Sequence, residues 1–317
     1  MADPLMDACA AYDLHDAAVV TDLFEDAAEA YRDDPHRTGG VIDLPTPVAA
    51  DADETALHTP GSLLVSGDLH DHRVNFRRLA HVAKLGDPTS GGGLILQELI
   101  HGPSRINGAD LSGRILAQAA ALKLAHPTRV WQLLSNHELS QVTDADITKG
   151  GLSTSQSFND GLEYLYGDEA DTVADAIRAY VLALPLAVRV GRGTQAGVMC
   201  AHSLPAPRKM AKFDPAVLEA ELDPLAVKRG GWAYEIVWGR NHDDATCDAL
   251  AEAWGVEAFL LGHQPAEFGV ERLAERALVI NSDHDHGRAV RVELGTPLDL
   301  DAAENEAVML NGVAVEG

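Results

Sequence analysis

Basic residues are scarce in this chain. Among its 317 residues, 49 Asp and Glu stand against 24 Lys and Arg, for a formal net charge of −25. Lysine is confined to Lys84, Lys123, Lys149, Lys209, Lys212 and Lys228. This balance argues against a general nucleic-acid binder, whose affinity comes from neutralising phosphates with Lys and Arg. It argues equally against docking on anionic lipid. Cysteine is nearly absent too. Cys9, Cys200 and Cys247 are far apart, form no CxxC pair or zinc-finger spacing, and fit a reducing cytoplasm. No run approaches the ~18 apolar residues of a membrane span. The stretch Met1–Asp7 has neither the basic nor the apolar part of a signal peptide. No GxGxxG follows a strand, and neither a P-loop motif nor a GxSxG elbow is present, so dinucleotide, P-loop and serine-hydrolase chemistry rank last.

What is present suits a globular protein: 46% hydrophobic and 23% charged residues, with length for one large or two modest domains. A salt-adapted surface and an Ala/Arg/Asp-rich genome would both produce the acidity. Apolar spacing through Val19, Leu23, Ala27 and Tyr31 predicts a helix over 8–35. An acidic loop at Asp51–Glu54 then closes an N-terminal extension. From Ser62 the pattern alternates. Strands are expected at 63–65, 94–96 and 130–134, with helices at 73–85 and 111–125, the signature of βαβ units and a largely parallel sheet. Helices at 158–166, 172–184 and 215–227, a strand pair at 186–190 and 197–201, and strands at 259–261, 278–280 and 289–294 complete the reading, which is α/β.

Polar residues collect at the carboxyl ends of these strands, where open α/β sheets place their sites. Asp68 and His70 follow the first strand, and Glu98 and His101 the second. Asn136 and His137 follow the third, and His202 and His263 follow later ones. A single histidine beside a strand is usually structural; five strand ends in order carrying Asp/His, Glu, Asn/His, His and His point to a site. Carboxylate, amide oxygen and imidazole together suit two divalent ions such as Mn²⁺, Fe or Zn²⁺ rather than a thiolate centre. Two such ions can clamp a phosphoryl group, and Glu98 is the residue able to bridge them.

Over about residues 60–295 the chain resembles the calcineurin-like metallophosphoesterases, most closely their phosphoprotein phosphatase branch. The GDxHG of that family is similar to Gly67-Asp68-Leu69-His70-Asp71, and its GNHE to Ser135-Asn136-His137-Glu138. Leu184-Pro185-Leu186-Ala187, then His202-Ser203-Leu204-Pro205, and Gly262-His263-Gln264 resemble its later motifs. The resemblance implies a four-layer α/β/β/α sandwich at 56–295, with a helical extension at 1–55 and a tail at 296–317. It implies a metal-dependent phosphatase: Asp68 and His70 on one ion, Asn136, His202 and His263 on the other, Glu98 between them. His137 would protonate the leaving alkoxide while a metal-bridging hydroxide attacks phosphorus in line. The substrate would be a phosphoprotein or a small phosphorylated metabolite or nucleotide, with no nucleic-acid or membrane partner; oligomeric state stays open.

The second motif departs from the family. Where GDxxDRG is expected, the chain has Gln97-Glu98-Leu99-Ile100-His101-Gly102-Pro103. The bridging Asp becomes Glu, the Asp that orients the catalytic His is lost or replaced by His101, and the phosphate-gripping Arg is gone. Arg240, in a Trp-x-Arg similar to that of related prokaryotic enzymes, is the first substitute, and Arg105 the second. Asp71 and His72 stand where the family has Gly, and would either crowd the site or contact the substrate. The Asp283–Gly287 cluster reads as a polar turn before the final strand or as a contact at the rim of the site supporting the metals. The altered motif also motivates an alternative: a degenerate member keeping the fold for a binding or regulatory role.

Overall fold

The computed structural model describes residues 3–46, 60–87, 91–103, 105–143, 148–149 and 152–315. The acidic loop at 51–54 and the boundary at 55–56 lie outside the described residues. The helix expected over 8–35 is two helices, α1 (Pro4–Cys9) and α2 (Ala17–Arg32). Asp16 makes the break. Its backbone is extended, and its carboxylate accepts from the amides of Ala18 and Val19, capping the new helix. β1 (Arg37–Thr38) and β2 (Val41–Leu44) follow as a hairpin.

β3 (Ser62–Asp68), α3 (Arg73–Val82), β4 (Gly92–Gln97), α4 (Gly113–Ala125) and β5 (Val130–Gln132) form the expected parallel βαβ units. Next come α5 (Asn136–Val142), the hairpin β6 (Thr148–Lys149) and β7 (Leu152–Ser153), α6 (Thr154–Tyr166) and α7 (Ala170–Ala183). β8 (Ala187–Val190) and β9 (Val198–Ala201) are an antiparallel pair. The helix expected over 215–227 is only a short 3-10 segment, Pro215–Glu219. Asp223 and Pro224 stop it: the Asp223 carboxylate accepts from the amides of Leu225 and Ala226 and holds a turn. α8 (Trp232–Trp238), α9 (Asp244–Trp254), β10 (Ala258–Leu261), β11 (Val270–Ala274), β12 (Ala277–Ile280), β13 (Arg288–Glu293), α10 (Leu300–Asn305) and β14 (Val308–Met309) complete the chain.

The main strands form two mixed sheets, not one largely parallel sheet. One runs β1-β2-β8-β9-β10-β12-β11 and the other β14-β13-β3-β4-β5. The hairpins at β8–β9 and β11–β12 and the return of β13 beside β3 supply the antiparallel pairs. Residues before 56 and after 295 both contribute strands: β2 pairs with β8, and β14 with β13. α2 buries Val20, Leu23, Phe24 and Tyr31, packing against α7 and α4. Each such side chain contributes about 1.5–3 kcal/mol. The Phe24 and Tyr31 rings both meet Tyr180, and the Tyr31 hydroxyl accepts from the Gln132 amide at 2.6 Å.

The sheets touch where β3 ends. Asp68 bridges to Asn281, just past β12. Gly67 permits this approach: a Cβ there would sit 1.9 Å from the Ile280 carbonyl oxygen. The ends of β3, β4, β5, β9 and β10 are thereby gathered at one place. No helix among the described residues is long and apolar enough to cross a membrane.

Candidate metal centre

Each site residue leaves a strand on a tight turn. Asp68 ends β3, Glu98 follows β4, Asn136 and His137 open α5 after β5, His202 follows β9 and His263 follows β10. His70, Glu98, His101 and His263 have backbone φ of 42°, 38°, 62° and 66°. This left-handed backbone costs a non-glycine residue of order 1–3 kcal/mol and concentrates at functional sites. The strain is held by hydrogen bonds: the amides of Leu69 and His70 both donate to the Glu98 carbonyl at 2.9 Å. Glu138 locks α5 to the same segment. Its carboxylate accepts from the Leu99 amide at 2.7 Å and from the Ser135 hydroxyl. Burial pushes Glu138 up to about 7.

Glu98 is central. Ligand atoms of His70, Glu98 and His137 lie within 4.8 Å of one another, and so do those of Glu98, His202 and His263. On the second side, His202 Nε2 and His263 Nδ1 each lie 2.7 Å from Asn136 Oδ1, and His202 Nε2 is 3.3 Å from Glu98 Oε2. Asp68 joins this side. Its carboxylate is 3.6 Å from His202 Nδ1 and accepts from the His263 amide at 3.0 Å. Gly262 makes room, since a Cβ there would meet Asp68 Oδ1 at 2.4 Å. On the first side, His70 Nδ1 lies 2.9 Å from the Ile100 carbonyl, which fixes Nδ1 as the protonated nitrogen and leaves Nε2 as the lone-pair donor. His137 Nε2 is 3.6 Å from Glu98 Oε1.

The electrostatics fit divalent cations. Burial raises Asp68 and lowers His202 well below the ordinary histidine range, neighbouring His263 adding to the latter. Burial, then the Arg240 cation, pushes His263 down to about 3. Neutral imidazoles and clustered carboxylates are what a cation requires and what a buried site without one tolerates poorly. Asp68, Glu98, Asn136, His202 and His263 suit it as oxygen and imidazole donors.

The remaining expectations resolve differently. His101 meets the His137 ring at 5.4 Å, with Nδ1 3.0 Å from Asp110 Oδ2. Asp110 escaped the sequence reading: it stands alone in a loop nine positions from His101, with no motif to mark it. His72 caps α3, its Nδ1 accepting from the Asn75 amide at 3.2 Å. Asp71 lies near Arg73, and burial pushes it up to about 6. In the Asp283–Gly287 turn, His284 lies 3.1 Å from the Ala266 carbonyl. Arg240 lines a cleft on the His263 side, whereas Arg105 is half-buried and acts on His101.

No family model matches the chain, and no curated protein matches it by sequence. Solved structures do match by shape. A protein serine/threonine phosphatase from Saccharomyces cerevisiae, with similarity to human phosphatase PP5, superposes with a TM-score of 0.65 at 16% identity, over 95% of this chain and 91% of that one. A cold-active protein-tyrosine phosphatase of a psychrophile, Shewanella sp., gives 0.52 at 14% identity, over 74% and 76%. Two mixed sheets meeting at the end of β3 are thus arranged in the fold of that serine/threonine phosphatase.

Proposed function

We propose that this protein hydrolyses phosphomonoesters at a centre of two divalent ions. The observation that carries the reading is the shared carboxylate: Glu98 belongs to both donor groups. By the family's pattern His70 and Asp68 would serve one ion and Asn136, His202 and His263 the other, although Asp68 here packs against His202 and His263. Mn²⁺, Fe or Zn²⁺ bound there would neutralise phosphoryl charge and make water nucleophilic near neutral pH. His137 donates a proton to the departing alkoxide. Its ring is confined by His70 at 5.2 Å and His101 at 5.4 Å, and Asp110 holds His101 in place. The longer Glu98 side chain replaces the family's Asp bridge, and the His101–Asp110 pair replaces its orienting Asp. Arg240 and Arg105 grip the phosphoryl oxygens from the His263 and His101 sides. The substrate is a phosphoprotein or a small phosphorylated molecule. Three free thiols, two of them buried, suit a reducing cytoplasm.

Hydrolysis of 4-nitrophenyl phosphate with added Mn²⁺ tests the reading. The native protein turns it over, and His137→Ala lowers kcat by about 10²–10⁴. His137 also stands beside His70 and Glu98 as a possible ligand. Metal content of the variant separates the roles: both ions retained marks an acid, one ion lost marks a ligand. Equal rates for the two proteins, or none with any divalent ion, would contradict the proposal and favour the binding or regulatory alternative.

A further inference from the structure

The protein is strongly acidic, yet Arg208, Lys209, Arg229 and Arg240 line one open cleft of about 810 Å³. Among its lining residues, Glu235 and Asp243 are the acids set against them. Glu235 is taken by Lys209, 2.7 Å away, and Asp243 caps α9 by accepting from the Thr246 amide at 2.9 Å. Arg208, Arg229 and Arg240 are exposed and make no side-chain hydrogen bond or ion pair with the described residues. Three guanidinium groups around one space, without protein partners, leave their donors free for an anion.

The cleft adjoins the metal centre. Trp238, on its wall, packs edge-on to His263 with ring centroids 6.2 Å apart. The Ser203 hydroxyl, beside His202, donates to the Gly239 carbonyl at 2.7 Å. A cleft of this volume is large enough for a small molecule. One phosphoryl group at the metal centre is already served by Arg240 and Arg105. Arg208 and Arg229 then exceed what one phosphate requires.

We propose that this cleft selects a small phosphomonoester carrying a second phosphate, which Arg208 and Arg229 hold while Arg240 faces the phosphoryl group at the metal centre. The proposal rests on the phosphatase reading and narrows its substrate class.

Adenosine 3′,5′-bisphosphate and adenosine 5′-monophosphate differ by one phosphate and serve as probes. The native protein should show a kcat/KM at least about tenfold higher for the bisphosphate. In the Arg208→Ala/Arg229→Ala variant the ratio should fall to about one, while Arg192→Ala, which removes a cation paired with Glu219 outside the cleft, keeps it. Parity in the native protein, or a preference that survives the double variant, would overturn the assignment. So would a multiply phosphorylated peptide turned over more efficiently than the bisphosphate. If neither nucleotide nor 4-nitrophenyl phosphate is hydrolysed, the phosphatase reading fails. Calorimetry on metal-free protein then tests the cleft alone. Bisphosphate binding about tenfold tighter than monophosphate, lost in the double variant, supports the cleft; equal affinities refute it.

Discussion

His242 illustrates how single residues in this protein are tuned by burial. It sits next to Ser203, with Nε2 3.1 Å from the hydroxyl, and burial pushes it down to about 4. An imidazole depressed in the folded state contributes stability above its unfolded pKa of ~6.5 and loses it as pH falls toward the folded value. His242→Gln removes that titration, so its melting temperature should fall less steeply than the native protein's between pH 6.5 and about 4. Parallel curves would show that His242 does not titrate as its burial requires. At this scale the sequence was informative where chemistry is dense. Asp68, Glu98, Asn136, His202 and His263 were legible because each follows an apolar strand, and the structure gathers them. Asp110 was not, because its partnership with His101 is made by a loop fold that leaves no periodic trace.

Among the elements, α4 is tied to the turn after α2 by a buried pair. Lys123 of α4 is fully buried, 3.3 Å from Asp34 and over the rings of Tyr31 and Trp131. Its ammonium also donates to the Pro127 carbonyl at 2.6 Å, and burial pulls it below the ordinary lysine range. Removing one member strands the other charge. Asp34→Ala should therefore cost about 3–5 kcal/mol in urea denaturation, whereas Lys123→Met/Asp34→Leu should come within about 1 kcal/mol of the native protein. A smaller loss for Asp34→Ala than for the double variant would remove the argument. Elements were legible where an apolar run is bounded by punctuation, as in α4 or β4. They failed where a single side chain overrides the pattern: Asp16 splits the first helix, and Asp223 with Pro224 ends the stretch after Glu219. The βαβ units and the β8–β9 pair were legible, but β12 beside β10 and β13 beside β3 were not, since these are long-range pairings.

For the molecule as a whole, charge and site pull in opposite directions. A net charge of −25 destabilises the compact state by self-repulsion. Raising salt from about 0.1 M to about 1 M shortens the screening length from ~10 to ~3 Å. The melting temperature should rise over that range, and a flat or falling curve would show that the acids are locally compensated. The same acidity repels a phosphate dianion, so capture depends on two divalent ions and the arginines beside them. That dependence rests on Glu98, the carboxylate common to both donor groups. Metal content of the purified protein, compared with that of Glu98→Ala, is the direct measurement. The account predicts two ions per native chain and fewer than one in the variant, because losing the bridge weakens both sites together. A Glu98→Ala protein that retains two ions would contradict it.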